Sequence, residues 1–484
     1  MSEIQDPVIA ETGETMVDAS SAFLEGLNSV ISWYNDFVGG YLLLFFLVPA
    51  GIYFAFKFRF LHVRGFGHAI AVLAGRYTAK GESGDVNHFK ALTTALSATV
   101  GTGNIVGVAL AIHWGGPGAV FWMWVTGFFG MMLKMVECTM GQKYRKFNPD
   151  GTVSGGPMYY MEYGLKDILG KHAKTLALIF AGAAVLASLG TGNMAQSNSM
   201  TDVLNSTYNF PHWISGLVIT GLVLMIIVGG LKRIANVTSR LVPFMAAIYF
   251  LAALLVVVVN IENFIPAFAL IFKDAFTGTA AAGGFAGSAF IITLTMGVRR
   301  GLFSNEAGQG SAPMAHAAAK TRHPMQEGMV ASIGPFIDTL FICSLTAVVI
   351  IMTGAWQSGI EGVGMTVEAF SLGLDSINIG YIAPHIISVG LMLFAFSTII
   401  SWSYYGSRAA QYLFGFKAIK RYYYVYALFV FFGSVWGLEL VWNFVDMVIT
   451  FMTIPNLIAI VLLTPVMKRE VNKYFSMSDD EKRA

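Results

Sequence analysis

The stretch Ala98-Thr99-Val100-Gly101-Thr102-Gly103-Asn104 places two glycines and three polar side chains inside an apolar segment that runs from Phe89 to Ile112. The segment is about long enough to cross a bilayer, which takes roughly 20 residues. Glycine loosens a helix, and unpaired backbone at membrane depth is tolerated only where it lines a cavity inside the protein. The interruption therefore predicts a binding site within a membrane-spanning segment.

The composition is that of a polytopic membrane protein. Hydrophobic residues make up 55% of the 484 residues and charged residues 12%, with a mean hydropathy of +0.63. Soluble domains usually carry about 25% charged residues. The sequence has no basic patch with interleaved aromatics and no phosphate-binding loop, so we expect neither nucleic acid nor nucleotide as a partner. Its two cysteines, Cys138 and Cys343, lie in apolar segments without metal-type spacing, which favours buried packing and no cofactor.

Hydropathy predicts an all-α protein with eleven transmembrane helices, the first of them peripheral to the other ten. The predicted spans are Val38 to Phe56, Leu92 to Ile112, Ala119 to Met140, Thr175 to Met200, Ile214 to Leu231, Leu241 to Asn260, Gly284 to Gly308, Val330 to Thr353, Ile382 to Tyr404, Tyr422 to Leu438 and Trp442 to Met467.

The distribution of positive charge supports this division independently. Of the 30 Lys and Arg residues, 26 fall in alternate loops and in the C-terminal tail, against one, Lys273, in the opposite loops and the N-terminal tail. Loops on the cytoplasmic side collect Lys and Arg. The sequence therefore predicts a multi-pass protein of a plasma membrane, in contact with the lipid bilayer, with its N-terminus outside and its C-terminus in the cytoplasm.

We expect three regions along the chain. Residues 1–36 carry seven acids and no Lys or Arg, and they lack the basic start of a signal peptide. Within them an apolar repeat at helical spacing predicts a short amphipathic helix on the outer surface, formed by Phe23, Leu27, Val30, Ile31 and Tyr34. We expect residues 37–467 to form a single membrane domain and residues 468–484 to form a cytoplasmic tail.

A second motif identifies a family. The sequence from Gly115 to Gly130, Gly-Gly-Pro-Gly-Ala-Val-Phe-Trp-Met-Trp-Val-Thr-Gly-Phe-Phe-Gly, closely resembles the signature of the alanine or glycine:cation symporters, the bacterial sodium/alanine symporters. The resemblance extends along nearly all of the core and includes the stretches Gly190 to Ser199 and Gly301 to Pro313.

The same region is more distantly similar to the leucine-transporter-type fold of sodium-coupled neurotransmitter transporters. Val100 to Asn104 matches the break in that fold's first core helix, and Glu137 to Tyr144 is similar to the end of its second. Thr293-Leu294-Thr295-Met296-Gly297 resembles the break in its sixth core helix, five spans after the first. Two interrupted helices at matching positions indicate a 5+5 inverted repeat with its site at the midplane.

The resemblance implies where an amino acid would bind. Helix N-termini attract carboxylates, so the backbone of Thr102, Gly103 and Asn104 is the candidate for the substrate carboxylate. The candidates by resemblance for the ammonium group are Thr293, Thr295 and the carbonyl of Thr99, with Gly297 in the same break. Neurotransmitter-type transporters add a tyrosine from the third core helix, which this chain lacks between Thr175 and Thr207. Gln196, with Asn193 nearby, is our substitute, although a polar contact between helices explains both amides almost as well. Trp402 is expected either to close a small pocket or to serve as an ordinary packing aromatic.

The resemblance also places the co-transported sodium ion. One ion would lie between carbonyls near Ser97 and Val100 and the hydroxyls of Ser397 and Thr398. A second would use Asn104 and Thr293 with the substrate carboxylate, and Thr99 lies close enough in sequence to contribute.

Charged residues inside spans are costly unless they are paired or hydrated, so they are candidates for gating or coupling. Arg299, Arg300 and Glu306 lie in what we predict to be the inner half of the sixth core helix, as a gating pair or as cations that reach the interface. Asp338 in the seventh is a candidate for a cation or proton site, or for a structural role. Lys134 and Glu137, three residues apart, are expected to pair locally.

We therefore expect a secondary active transporter, not an enzyme, that imports alanine or glycine with sodium by alternating access. Proton coupling through Asp338 is the nearest alternative. An ion channel is the alternative from another class, but no repeated pore loop or ring of charge supports it. A membrane enzyme would need a nucleophile, base or metal constellation, and the nine His residues show no ligand spacing.

Overall fold

Long apolar runs become helices here because a chain inside a bilayer must satisfy its backbone polar groups internally. The computed structural model describes residues 26–78, 81–277, 286–436 and 438–483. The strands within these residues are two short ones, β1 (Lys146–Phe147) and β2 (Val153–Ser154), which form an antiparallel hairpin.

Sixteen helices of eight or more residues in the described part carry labels here. They are α1 (Gly26–Lys57), α2 (Phe66–Leu73), α3 (His88–Thr99), α4 (Val106–Gly115), α5 (Ala119–Lys143), α6 (His172–Tyr208), α7 (His212–Ile227), α8 (Gly230–Val259), α9 (Phe264–Thr277), α10 (Ala286–Asn305), α11 (Pro324–Met352), α12 (Gly362–Asp375), α13 (Ala383–Phe414), α14 (Ala418–Val435), α15 (Leu438–Leu462) and α16 (Thr464–Ser476). Short helical turns complete the chain at Leu61–Arg64, Thr102–Asn104, Pro157–Tyr159, Tyr160–Gly164, Lys166–Leu169, Ile261–Asn263, Ala312–His316, Ala355–Gln357, Gly380–Ile382 and Asp479–Arg483.

The helices confirm a multi-pass membrane protein. Among the described residues, seven helices are long and apolar enough to cross a bilayer, and they fall on α1, α5, α6, α8, α11, α13 and α15. The other four predicted spans fall on α3 with α4, on α7, on α10 and on α14. The count of eleven and the two five-helix halves stay predictions.

The first helix differs from the expected outer tail. Residues 26–36 form the first part of α1, a single 32-residue helix that includes a π-helical turn at Asn35–Gly39. At 1.5 Å per residue this helix is about 48 Å long, against a bilayer core of about 30 Å. The structure thus extends the first span through these residues, where the sequence predicts a separate surface helix; Phe23, also assigned to that helix, lies outside the described residues.

The first core helix is broken where its glycines predict. Helical geometry ends at Thr99 and resumes at Val106. Between them Val100 (φ −77°, ψ 88°) and Gly101 (φ −139°, ψ −148°) leave the helical region, and Thr102–Asn104 makes one 3₁₀ turn.

The predicted break of the sixth core helix at Thr293 to Gly297 is wrong. Helix α10 runs without interruption from Ala286 to Asn305, and the chain leaves it at Glu306. Glu306, Gly308 and Gly310 have φ values of 54°, 79° and 81°, a left-handed conformation incompatible with a continuing helix. The short helix Ala312–His316 follows. The sixth core helix is therefore interrupted at residues 306–311.

Helix irregularities also occur in two neighbours of the breaks. Helix α6 contains a π-helical turn at Gly190–Met194, and α11 contains a π-helical segment at Phe336–Cys343. Such turns inside α-helices occur frequently at functional sites. Helix α5 packs along α10 and α11, while α13 packs against α3, α6 and α14, so the two breaks meet between these groups.

Candidate functional site

Side chains supplement the single 3₁₀ turn of backbone hydrogen bonds in the first break. The amide N–H of Gly101 donates to Oδ1 of Asn104 at 2.9 Å. The N–H of Thr102 donates to Oε1 of Gln196 at 3.1 Å, and the carbonyl of Asn104 accepts from the Thr346 hydroxyl at 2.7 Å. Gln196, predicted from sequence as a site residue, therefore contacts the break directly.

Both glycines of the break are needed for close approach. A Cβ on Gly101 would lie 2.6 Å from Oγ1 of Thr398 and 2.9 Å from Oε1 of Gln196. A Cβ on Gly103 would lie 3.0 Å from the ring of Phe303 and 3.3 Å from the backbone of Ser304. The break is thus in contact with α13, α6 and the end of α10.

A cluster of oxygen atoms joins the break to α13. The Thr398 hydroxyl lies 2.9 Å from the carbonyl oxygen of Ser97 and 3.3 Å from that of Val100. The Ser397 hydroxyl lies 3.4 Å from the same Ser97 carbonyl, and the Ser97 hydroxyl donates to the Ser397 carbonyl at 2.8 Å. All four residues are buried, so the four predicted sodium ligands lie together on two helices. The Thr99 hydroxyl, in contrast, bonds within α3, to the carbonyl of Leu96.

Trp402 forms a wall between α6 and the second break. The indole is fully buried, and its Nε1 donates to Oε1 of Glu306 at 2.9 Å. A Cβ on Gly192 would lie only 1.9 Å from Cγ of Trp402, so the π-helical turn of α6 packs directly on the indole. Asn193 on the same turn faces elsewhere, because its amide donates to the carbonyl of Tyr426 in α14. Of the two candidate amides, only Gln196 contacts the break.

The second break is built around two buried carboxylates. Oε2 of Glu306 accepts from the Ser311 hydroxyl at 2.5 Å, which closes the loop on itself. Oε2 of Glu137 accepts from the Gly310 N–H at 3.0 Å and from the Asn456 amide at 2.9 Å. Glu137 therefore holds the loop rather than forming the local pair with Lys134 predicted from sequence. The Lys134 Nζ is buried and makes no hydrogen bond within the described residues.

Asp338 belongs to the same site. Its Oδ1 accepts from the Asn104 amide at 2.7 Å, and its Oδ2 accepts from Ser304 at 2.6 Å and from Thr339 at 2.8 Å. The carboxylate is fully buried within this network. It therefore ties the first break to the end of α10 through α11.

Several buried polar atoms around the two breaks have no hydrogen-bond partner in the described structure. They are the hydroxyl oxygens of Thr102, Thr191 and Ser401 and the Oε1 of Gln309. Buried polar atoms are normally satisfied, so this group is consistent with a site that receives a polar ligand. Sequence reasoning missed Thr191, Ser401 and Gln309, although Thr191 lies in the stretch Gly190 to Ser199 that carries the family resemblance and Ser401 precedes the predicted residue Trp402.

The structure places Thr293 and Gly297 away from this site, with Thr295 between them on the uninterrupted helix α10; the Thr295 hydroxyl is buried without a hydrogen-bond partner in the described structure. The Thr293 hydroxyl donates to the carbonyl of Gly115, at the far end of α4, about 15 Å along that helix from the break at 1.5 Å per residue. A Cβ on Gly297 would lie 2.4 Å from the carbonyl of Ala119, so this glycine serves the packing of α10 on α5. The proposed second sodium site of Asn104 with Thr293 is therefore wrong.

Arg299 and Arg300 form no gating pair with Glu306 here. Arg299 donates to the backbone carbonyl of Asn35 in α1, and Nη2 of Arg300 lies 3.2 Å from Oδ2 of Asp446 in α15. Both precede the break, so the expectation that they lie in the inner half of this core helix is wrong. The reason is the shift of the break from residues 293–297 to 306–311.

The start of α3, the end of the short helix Ala312–His316 and the start of α11 meet at one buried cluster. Glu327 of α11 accepts from Nδ1 of His316 at 2.5 Å and contacts Nδ1 of His88. All three side chains are buried. Burial lowers the pKa of His88, but the adjacent Glu327 carboxylate outweighs this and, with Glu82, raises that pKa above its usual value. The Glu327 carboxylate therefore favours the charged form of His88.

Backbone contacts close the same end. Val86 pairs with Ala319 in a parallel bridge, and the Lys320 N–H donates to the Val86 carbonyl at 2.7 Å. The Arg145 guanidinium donates to the carbonyls of Ser83 and Ala319, and these two hydrogen bonds connect the two segments. The start of the first core helix is thus clamped to the segment that follows the second break.

Comparison with known proteins agrees with this geometry. The profile described as the sodium:alanine symporter family matches residues 24–484. The sodium/alanine symporter AgcS of Methanococcus maripaludis is 40% identical over 458 residues, which cover 94% of this chain and 98% of that protein. An uncharacterized transporter of Haemophilus influenzae is 41% identical over 451 residues, covering 93% and 96% of the two chains.

Solved structures support the fold. MhsT in complex with L-phenylalanine superposes with a TM-score of 0.59 at 15% identity, covering 79% of this chain and 90% of that one. This likeness confirms the leucine-transporter-type fold that the sequence predicts. The protein is a membrane transporter rather than an enzyme, and the chain belongs to the sodium:alanine symporter family.

Proposed function

We propose that the protein is a sodium-coupled symporter that imports a small neutral amino acid, alanine or glycine, by alternating access. The observation that carries this proposal is the oxygen cluster of Ser97, Val100, Ser397 and Thr398 at the break of the first core helix. A relative named as a sodium/alanine symporter supports sodium and alanine, and one named as an amino-acid carrier supports an amino acid as the substrate.

The cluster suits sodium because hard cations prefer oxygen ligands. Two carbonyl oxygens come from the end of α3, where the Val100 N–H still bonds to Leu96 but the Val100 carbonyl accepts from Thr398, and two hydroxyls come from α13. An ion bound there would draw α3 and α13 together. A sodium ion that enters down a potential of about 100 mV gives up about 2.3 kcal/mol, which corresponds to roughly fiftyfold accumulation of a co-transported solute.

The amino acid would lie between the two breaks. The backbone of Thr102, Gly103 and Asn104 is the candidate for the substrate carboxylate, beside the amide of Gln196. The Glu306 carboxylate and the unpartnered hydroxyl of Ser401 are added as acceptors for the ammonium group, in place of Thr293 and Thr295.

Trp402 would limit the size of the substrate. The indole is buried against the backbone of α6 and fixed by its bond to Glu306, so it cannot move aside without losing a buried hydrogen bond. A pocket bounded in this way favours a hydrogen or a methyl group as the substrate side chain.

Release of the substrate would require the clamped end to open. We place this end on the cytoplasmic side of a plasma membrane, because the loops there carry most of the Lys and Arg. The His88, Glu327 and His316 contacts and the Arg145 hydrogen bonds would then form the inner gate. In this assignment the N-terminus is outside, residues 37–467 are the transport domain, and residues 468–484 form the cytoplasmic tail.

The test is binding of labelled alanine to the purified protein in sodium or in potassium, for wild type, Thr398→Ala and the matched control Ser403→Ala. The Ser403 hydroxyl is also buried in α13 but bonds within its own helix, to Ile400. We expect binding in sodium only, with Thr398→Ala alone shifting the sodium dependence to higher concentration. Equal binding in potassium, or an equal effect of both variants, would contradict the proposal.

A second candidate is coupling to protons through Asp338, favoured by the burial of this carboxylate beside Asn104. A Bacillus subtilis relative at 38% identity is described as a putative sodium/proton-dependent alanine carrier. Under this alternative an imposed pH gradient would drive uptake without sodium, and Asp338→Asn would abolish that response.

A further inference from the structure

A cleft of about 830 Å³ lies at the end of the bundle that carries most of the Lys and Arg, away from the two breaks. Its walls come from the turn between α7 and α8, the end of α13 and the start of α14. The transport proposal does not use this cleft, and none of the relatives' descriptions assigns a role to it.

The cleft contains a buried guanidinium that makes no direct ion pair within the described part of the chain; the Asp150 carboxylate interacts with it only through space. Arg408 is 8% exposed; its guanidinium donates a 3.3 Å hydrogen bond to the Ser154 hydroxyl and lies over the face of the Tyr404 ring. Its Nε and the Tyr404 hydroxyl are buried without hydrogen-bond partners in the described structure. A buried charge normally requires a paired, hydrogen-bonded counter-charge.

The remaining charges in the cleft leave it positive. Lys232, Lys417 and Lys420 line it together with two acids, Asp85 and Asp150. Both acids are engaged locally: Asp85 accepts from the Val153 N–H at 2.9 Å, and Asp150 accepts from the Thr152 hydroxyl at 2.7 Å. Arg408 and the three lysines give four positive charges against two carboxylates that are already hydrogen-bonded, so the cleft attracts a further anion.

Apolar side chains at the rim indicate which anion fits. Val228 and Phe416 line the cleft and are 48% and 50% exposed, and Phe414 beside it is 73% exposed. Exposed apolar residues next to lysines at the ends of membrane helices are typical of the headgroup region, where basic pockets between helices bind anionic lipid headgroups. A free anion would use the charged wall but not the apolar rim.

We propose that this cleft binds the phosphate headgroup of an anionic phospholipid from the adjacent leaflet. Arg408 would donate its guanidinium N–H groups to the phosphate, with the Tyr404 hydroxyl as a further donor and the three lysines around them. The acyl chains would lie on Val228 and Phe416. A bound lipid would join α8 to α13 and α14 and stabilise their packing.

The test uses the full-length protein, purified in a neutral detergent, with short-chain phosphatidylglycerol as the probe and phosphatidylcholine as the neutral comparison. Bound lipid is counted by native mass spectrometry, and the shift in the thermal unfolding midpoint is measured in parallel. The variants are Arg408→Gln and the control Arg421→Gln. The control removes an exposed cation from the start of α14, next to Lys420, but Arg421 does not line the cleft.

We expect phosphatidylglycerol to bind wild type and Arg421→Gln alike, and Arg408→Gln about tenfold more weakly, because a charge-assisted hydrogen bond is lost. If Arg408→Gln does not fold, the exposed pair Lys417→Gln with Lys420→Gln should show the same loss. Equal losses in Arg408→Gln and Arg421→Gln would indicate only surface charge and overturn the site. Equal binding of phosphatidylcholine, or stabilisation by inorganic phosphate at the same concentration, would overturn the lipid assignment.

Discussion

Substitution of Gly192 by alanine should damage the site through a single added carbon. The new Cβ would lie 1.9 Å from Cγ and 2.1 Å from Cβ of Trp402. Carbon atoms pack at about 3.5–4.0 Å, so the two helices would have to separate by roughly 1.5 Å. Rotation of the indole cannot relieve the clash, because Cβ of Trp402 is fixed by the α13 backbone. Overpacking of this kind costs about 1–3 kcal/mol, which corresponds to roughly 5- to 150-fold in a binding constant.

The assay compares thermal unfolding and alanine affinity of Gly192→Ala with those of Gly182→Ala. Both glycines lie in α6, but a Cβ on Gly182 meets no atom within 4 Å. Gly182→Ala should retain wild-type alanine affinity and gain up to about 1 kcal/mol of helix stability. Gly192→Ala should lose alanine affinity within the range above. Wild-type affinity in Gly192→Ala, or equal losses in both variants, would refute the packing of Trp402 on α6.

Three further predictions concern single contacts. Trp402→Phe keeps the ring but leaves the buried Glu306 oxygen without its donor, so alanine affinity should fall by about 1–3 kcal/mol in a binding titration. Thr293→Ala should leave the sodium dependence of uptake unchanged within error, because the Thr293 hydroxyl of α10 bonds to Gly115, at the end of α4 that is far from the break. The raised pKa of His88 predicts that its stabilisation of the clamped end is complete below about pH 6.5 and is lost as the pH rises through that raised pKa. The rate of alkylation of a cysteine introduced at the buried Ala318 is divided by that of an exposed cysteine at the same pH, because the thiolate fraction alone makes alkylation faster at high pH. This relative rate should increase with pH in an otherwise wild-type protein, and should be high and independent of pH when His88→Gln is added. The groups that face His88 there are Glu327, Glu82 and His316, with Arg145 beside Glu327, and a pH dependence that persists in His88→Gln would assign the effect to one of them.

The first break was predictable because glycines and polar residues interrupt an otherwise apolar span, a pattern with few structural explanations in a membrane. The four sodium candidates followed from the resemblance to the leucine-transporter-type fold, whereas Gln196 was chosen because this chain lacks that fold's tyrosine in the third core helix. The structure brings these residues together at the break. The seven apolar helices were predictable from hydropathy alone.

The second break was assigned to the wrong residues because a glycine in an apolar span can either allow two helices to pack closely or end the helix. Gly297 allows close packing on Ala119, whereas Gly308 and Gly310 adopt left-handed conformations that end the helix. Sequence pattern does not separate these cases, since both depend on what the backbone meets in space. For the same reason Glu306 was assigned to gating, although its contacts with Trp402 and Ser311 place it within the site.

The central claim is sodium-coupled import of alanine, and uptake of labelled alanine into proteoliposomes tests it most directly. Wild type, Thr398→Ser and Thr398→Ala are each given an inward sodium gradient or an equal potassium gradient. The account predicts accumulation with sodium only, retained in Thr398→Ser, which keeps the hydroxyl, and strongly reduced in Thr398→Ala. Accumulation that is equal in potassium and follows an imposed pH gradient would contradict it.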